Sequence, residues 1–177
     1  MSEPSSVYAK IHISKANLKN YLNAQIKPLN DFNNWLMWIN KQEYSGKITI
    51  EDVKSQHFWH CKTNQEYFDI YLSEDFTSSY FDYDERQELL IISILQFSQN
   101  MFDYIKMIHI IGSISSFKSS ENTDFLMIYD FLWFEDAKPT YYLEIKKDKS
   151  NIVYTIGNEL IIEATNYLEK RREINCS

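Results

Sequence analysis

Glycine and proline are scarce, three of each in 177 residues, which leaves little material for flexible loops. Glycines at 46, 112 and 157 lie too far apart for a phosphate-cradling loop, and neither G-x-G-x-x-G nor a P-loop occurs. H-E-x-x-H and G-x-S-x-G are missing as well. Two cysteines, Cys61 in mid-chain and Cys176 at the penultimate position, are too few for a disulfide framework. No apolar run reaches the length of about 18 residues that a membrane span requires. The nearest approach, 89–111, is broken by Gln96, Ser98, Gln99, Asn100, Asp103 and Lys106. The opening MSEPSSVYAK has no basic n-region and no apolar core, so no signal peptide is expected. Net positive charge is absent too: the formal charge is −7 and the isoelectric point near 5.1. Nucleic-acid binding by counterion release needs a basic face, so that class is set aside. A cytoplasmic, reduced chain is the reading these absences leave.

What is present suits one folded domain, taken as 1–177. The apolar fraction is 44% and aromatics make up 16%, enough for a substantial core. Val7, Ala9, Ile11 and Ile13 alternate with polar residues, predicting an opening strand. Ser14 is placed to cap a helix carrying Leu18, Tyr21, Leu22 and Ile26, and Asp31 to open another with Phe32, Trp35, Leu36 and Ile39. A short β-like stretch is read at 47–50 and a strand at 67–72. From Asp84, the positions Leu90, Ile91, Ile94, Leu95, Met101, Phe102 and Ile105 fit a helical period, predicting a central helix of roughly six turns. The run IHIIGSISSF suggests an adjoining strand. FLMIYDFLWF and TYYLEIKK, joined by a Pro-containing turn, predict a hairpin. NIVYTI adds a short strand, and a last helix runs to about Arg172. The expected class is α+β: a mainly antiparallel sheet packed by helices, with one long central helix.

The charge is concentrated. Residues 66–88, EYFDIYLSEDFTSSYFDYDERQE, hold eight acids and one base, a charge of −7. The remaining seventeen acids and seventeen bases cancel. Tyr67, Phe68, Tyr71, Phe76, Tyr80, Phe81 and Tyr83 are interleaved with those acids. One account of this is purely structural: acids near Asp84 complement the dipole of the expected helix, and the rings enter the core. The other is functional. Residues 73–83 have no core periodicity, so some rings should reach the surface beside carboxylates, a composition suited to binding a basic protein. The candidate partner-binding residues are Asp69, Glu74, Asp75, Phe76, Tyr80, Phe81, Asp82, Tyr83 and Asp84.

In size, acidity, aromatic richness and lack of an active-site motif, the chain resembles bacterial immunity proteins, the cytoplasmic antidotes to polymorphic or contact-dependent toxins. Phage inhibitors of bacterial defence have a similar profile. The resemblance implies a non-enzymatic inhibitor in a tight one-to-one complex with a toxin domain, often a nuclease. It implies no cofactor and no metal, and carboxylates standing where nucleic-acid phosphates would lie.

Two constellations suggest other chemistry. His57, His60 and Cys61 form H-x-x-H-C, with imidazole and thiolate ligands suited to zinc, but no fourth ligand is supplied. Asp130, Glu144 and Lys146 resemble the D…E-x-K pattern of Mg²⁺-dependent nucleases, in which carboxylates hold the metal and lysine assists the attacking water. Alternating charge on an exposed strand produces the same triplet. An oligomeric adaptor whose exposed aromatics meet copies of itself is the third alternative.

Overall fold

The computed structural model describes residues 4–29, 49–55, 61–133 and 139–175. Among these residues six strands form one sheet: β1 (Ser5–His12), β2 (Ser79–Asp84), β3 (Leu89–Ser98), β4 (Asp124–Tyr129), β5 (Tyr141–Lys146) and β6 (Lys149–Val153). Their spatial order is β2-β3-β1-β4-β5-β6, and every neighbouring pair is antiparallel. Among the described residues the helices are α1 (Lys15–Asn23), α2 (Ile50–Lys54), α3 (Asn64–Leu72), α4 (Met101–Ser113) and α5 (Asn158–Asn175). The fold is therefore α+β, as the pattern of elements implied. Among the described residues no helix is long and apolar enough to cross a membrane.

The central strand β1 sits between two hairpins and is buried on both sides. Val7, Ala9 and Ile11 join one core with Ile92 and Ile94 of β3, Ile128 of β4 and Leu143 of β5. Helices α1, α3 and α4 cover this face through Leu18, Tyr21, Tyr67, Phe68, Tyr71, Ile105 and Ile108. Tyr8, Leu95, Phe125, Met127, Tyr129 and Tyr142 project to the opposite face, where Ala164 and Leu168 of α5 meet them. The period-2 alternation of strand side chains produces this division. Near its end β3 departs from it: the register against β1 shifts between Ser5 and Val7, so that Ile94 and Phe97 both reach the first core.

Several predicted elements fall elsewhere. The six-turn helix expected from Asp84 is two elements, strand β3 followed by the 13-residue helix α4. Asp84 carries the signature of a helix cap, but its carboxylate accepts from the backbone N–H of Arg86 (2.8 Å) and Gln87 (3.1 Å), closing the β2–β3 turn. Asp favours both settings for the same reason, its short acceptor arm. The cap of α4 is Asn100, whose side chain accepts from Phe102 N at 2.9 Å. The IHII stretch expected as a strand is helix interior, continued by a 3₁₀ turn at Ile114–Phe117. Residues 67–72, also expected as a strand, belong to α3, and Ile50 opens α2 rather than a strand. The helix expected from Asp31 lies outside the described residues.

Candidate functional site

The acidic segment begins on α3. Thr63 caps this helix by accepting from Glu66 N, and Tyr67, Phe68 and Tyr71 point into the core. The intervening Glu66 and Asp69 are left exposed, Asp69 accepting from Gln65 Nε2 at 2.6 Å. Leu72, on the last turn, is 44% exposed. Glu74 follows in the open, and a 3₁₀ turn at Asp75–Thr77 presents Phe76 at 67% exposure. That turn is fastened from below. Thr77 is buried, and its hydroxyl lies 2.8 Å from the carbonyl oxygens of both Tyr71 and Glu74 and 2.7 Å from Ser79 Oγ. Ser78 completes the bend at φ 50°. The exposed ring is thus held outward by a tied backbone.

Beyond the turn, β2 sorts its side chains by alternation. Phe81 packs on Phe68, ring centroids 5.5 Å apart, and the Tyr83 hydroxyl donates to Ile13 O at 3.0 Å. Both face the first core. Tyr80 and Asp82 point to the other side, against the last turns of α5. There the Asp82 carboxylate accepts from Tyr167 Oη at 2.5 Å and pairs with Arg171, whose guanidinium lies 4.2 Å from the Tyr80 ring centre. Asp84 is exposed in the hairpin turn, near the ion pair of Lys15 with Glu85. The nine candidate residues therefore form no single surface. Asp69 is on α3, and Glu74, Asp75 and Phe76 follow in sequence at the turn after it; Phe81 and Tyr83 are packed inward, and Tyr80 and Asp82 are engaged by α5.

Phe76 also forms one wall of an open groove of about 670 Å³, with Pro4, Gln96, Phe97, Gln99 and Met101 among its other described walls. The Ser98 hydroxyl, in the same lining, donates to Asp103 at 2.8 Å. The lining thus mixes apolar and amide side chains, and its described part contains no cation.

The D…E-x-K residues do not converge. Glu144 stands opposite Phe125 in the β4–β5 register, several residues along from Asp130. Asp130 accepts from Ser5 Oγ at 2.7 Å, and Ser5 in turn meets Tyr104 of α4. Glu144 projects on the α5 side and pairs with Lys146 at 2.9 Å. The two carboxylates therefore occupy opposite faces of the sheet. Of the H-x-x-H-C cluster, His57 and His60 lie outside the described residues; Cys61 is half-buried, its thiol pushed up by burial and then by Glu66 and Asp69.

One cluster was missed. Asp124, at the start of β4, is buried and forms an ion pair with Lys118, which is equally buried. Its carboxylate also accepts from His12 N at 2.9 Å and lies 2.6 Å from His12 Nδ1. Lys118 Nζ donates a second bond to Asn122 O at 2.9 Å. The arrangement clamps the 118–124 loop to the end of β1. The available signal was slight: an acid opening a run of five apolar residues.

No family model, curated protein or solved structure matches the chain.

Proposed function

We propose that this protein is a non-enzymatic, cytoplasmic inhibitor of a basic protein partner, acting as immunity proteins act on toxins. Its docking surface is the end of α3 and the turn that follows. The single observation that carries this reading is Phe76, two-thirds exposed on a tied turn four residues after the exposed Leu72. Covering a Phe ring is worth about 1.5–3 kcal/mol, so evolution has little reason to hold one outward unless something covers it. Glu66, Asp69 and Glu74, all of one sign, are exposed on α3 and just beyond it. We take these carboxylates as the charged rim of an interaction hot spot whose anchor is Phe76. The rim also steers a basic partner and weakens with salt, over a screening length of about 8 Å in physiological conditions.

The test separates anchor from rim. The tagged chain is used to capture partners from its own cells, as wild type, as Phe76→Ser, and as Asp69→Lys/Glu74→Lys. Because these side chains are exposed, the variants should unfold within about 0.5 kcal/mol of wild type. Retention of one basic protein by wild type, lost with Phe76→Ser and made salt-insensitive and weak by the charge reversal, supports the proposal. Equal capture by all three forms refutes it, and recovery of nothing but the chain itself points to self-association.

A further inference from the structure

The second half of the acidic segment suggests a different site. Three side chains from two elements converge on one guanidinium. The Tyr80 ring lies 4.2 Å from Arg171 Cζ and the Tyr167 ring 5.2 Å. Arg171 Nη2 bonds to Asp82 Oδ2 and, at 2.8 Å, to Tyr167 Oη, which also receives Nε at 3.2 Å. Tyr167 Oη donates in turn to Asp82 Oδ2 at 2.5 Å. Two aromatic faces and a carboxylate, held by a tyrosine hydroxyl, are the elements that recognise a planar cation by stacking and charge together.

We propose that Tyr80, Asp82 and Tyr167 form an arginine-binding site, and that Arg171 is a resident side chain which a partner's arginine displaces. The proposal deepens the reading above, because the arginine would come from the same basic partner; it rests on that reading only for the source of the ligand.

Three features make the occupant exchangeable. Leu168 is the last fully buried residue of α5, and the helix runs on to Asn175 with exposed residues around Arg171. Arg171 itself keeps 21% of its side-chain surface in solvent, so a rotamer change frees the site without moving the core. The Asp82 side chain is 45% exposed, and its second oxygen, Oδ1, has no hydrogen-bond partner among the described residues. An incoming guanidinium can therefore bond to Oδ1 before Arg171 leaves Oδ2. Removing the internal competitor should tighten external binding about tenfold, the effect expected of a partly exposed ion pair with its stacking contact.

The experiment uses the full chain and a small probe, N-acetyl-arginine amide, with N-acetyl-lysine amide as control. Binding is followed by NMR through the ring resonances of Tyr80 and Tyr167, for wild type, Arg171→Met, and Arg171→Met/Asp82→Asn. Methionine keeps the packed stem of the arginine, and Arg171→Ala serves as a second vacated form if that variant folds poorly. The expected result is binding to Arg171→Met about tenfold tighter than to wild type, preference for arginine over lysine, and loss with Asp82→Asn. Equal affinity for wild type and both vacated forms, or binding indifferent to Asp82 or to the choice of cation, would overturn it. Neither result depends on capture by Phe76, so the two proposals fail separately.

Discussion

Lys118 and Asp124 offer the most direct test of how this fold handles buried charge. Both side chains are removed from solvent, at 0% and 1% exposure. Lys118→Met keeps the apolar stem and nearly the same volume, so what it removes is the ammonium. It leaves the Asp124 carboxylate buried, with two of its partners, His12 N and the His12 ring, still in place. Breaking one side of a buried pair costs about 3–5 kcal/mol, and the surviving bonds put this case near the lower end. For a chain of this length that corresponds to a melting point lower by roughly 6–12 °C. Asp124→Asn should cost as much or more, since the ammonium then keeps only the Asn122 carbonyl as a full acceptor. The double variant Lys118→Met/Asp124→Asn removes both charges while the Asn oxygen can still accept from His12 N. It should recover about 2 kcal/mol relative to additivity. Urea unfolding of the four proteins measures the cycle, provided the m-value is unchanged. A loss below about 1 kcal/mol in both single variants, or single effects that add within about 0.5 kcal/mol, would refute the argument. In that case the pair is solvated, and the clamp on the 118–124 loop is not electrostatic.

Two further expectations follow from the same burial. Tyr8, Tyr21, Tyr67, Tyr71 and Tyr129 all have phenols raised by burial, Tyr129 to about 12. Their folded values exceed the unfolded value of about 10, so their contribution to stability is complete below that pH and is lost as pH rises towards the folded values. The urea midpoint should therefore fall steeply above about pH 10, with these five phenols ionising only in step with unfolding; their ionisation in a still-folded chain would contradict it. At the start of α4, Asn100→Ala removes the acceptor for Phe102 N and should cost about 1 kcal/mol in the same assay, with a null effect meaning that solvent caps the helix equally well.

The sequence was legible where an alternation, a cap residue or a turn marks the element, and illegible where an apolar run carries no such mark. β1 alternates plainly, α1 has Ser14 at its cap, and the β4–β5 hairpin is two apolar runs about a turn; all three exist as the pattern implied, but α1 ends at Asn23, before Ile26, and β4 at Tyr129, before the turn at 131–133. The misreadings cluster between 64 and 117: on β3 and α4, which have little solvent face, and on α3, whose exposed acids are interleaved with core rings. Strand β3, LLIISILQFS, supplies residues to both cores, so its apolar run satisfies a helical period as readily as a strand's. Helix α4 is buried from Tyr104 to Gly112, including Lys106 and His109, and its Ile-rich stretch carries β-favouring residues into a helix. In α3, Thr63 and Glu66 held a cap signal that the Tyr–Asp–Tyr alternation masked. The same ambiguity shaped the functional reading. Charge and aromatic content identified residues 66–88 as unusual, but which ring faces water depends on the backbone. Phe76 and Phe81 stand five residues apart in similar local sequence, one on an outward turn and one against Phe68. What decides between them is Thr77, whose hydroxyl fastens the turn, and a buried hydroxyl of that kind leaves no mark in composition or period. A test aimed at the segment as a whole would mix three roles, because reversing Asp82 breaks an internal ion pair while reversing Glu74 alters only the surface.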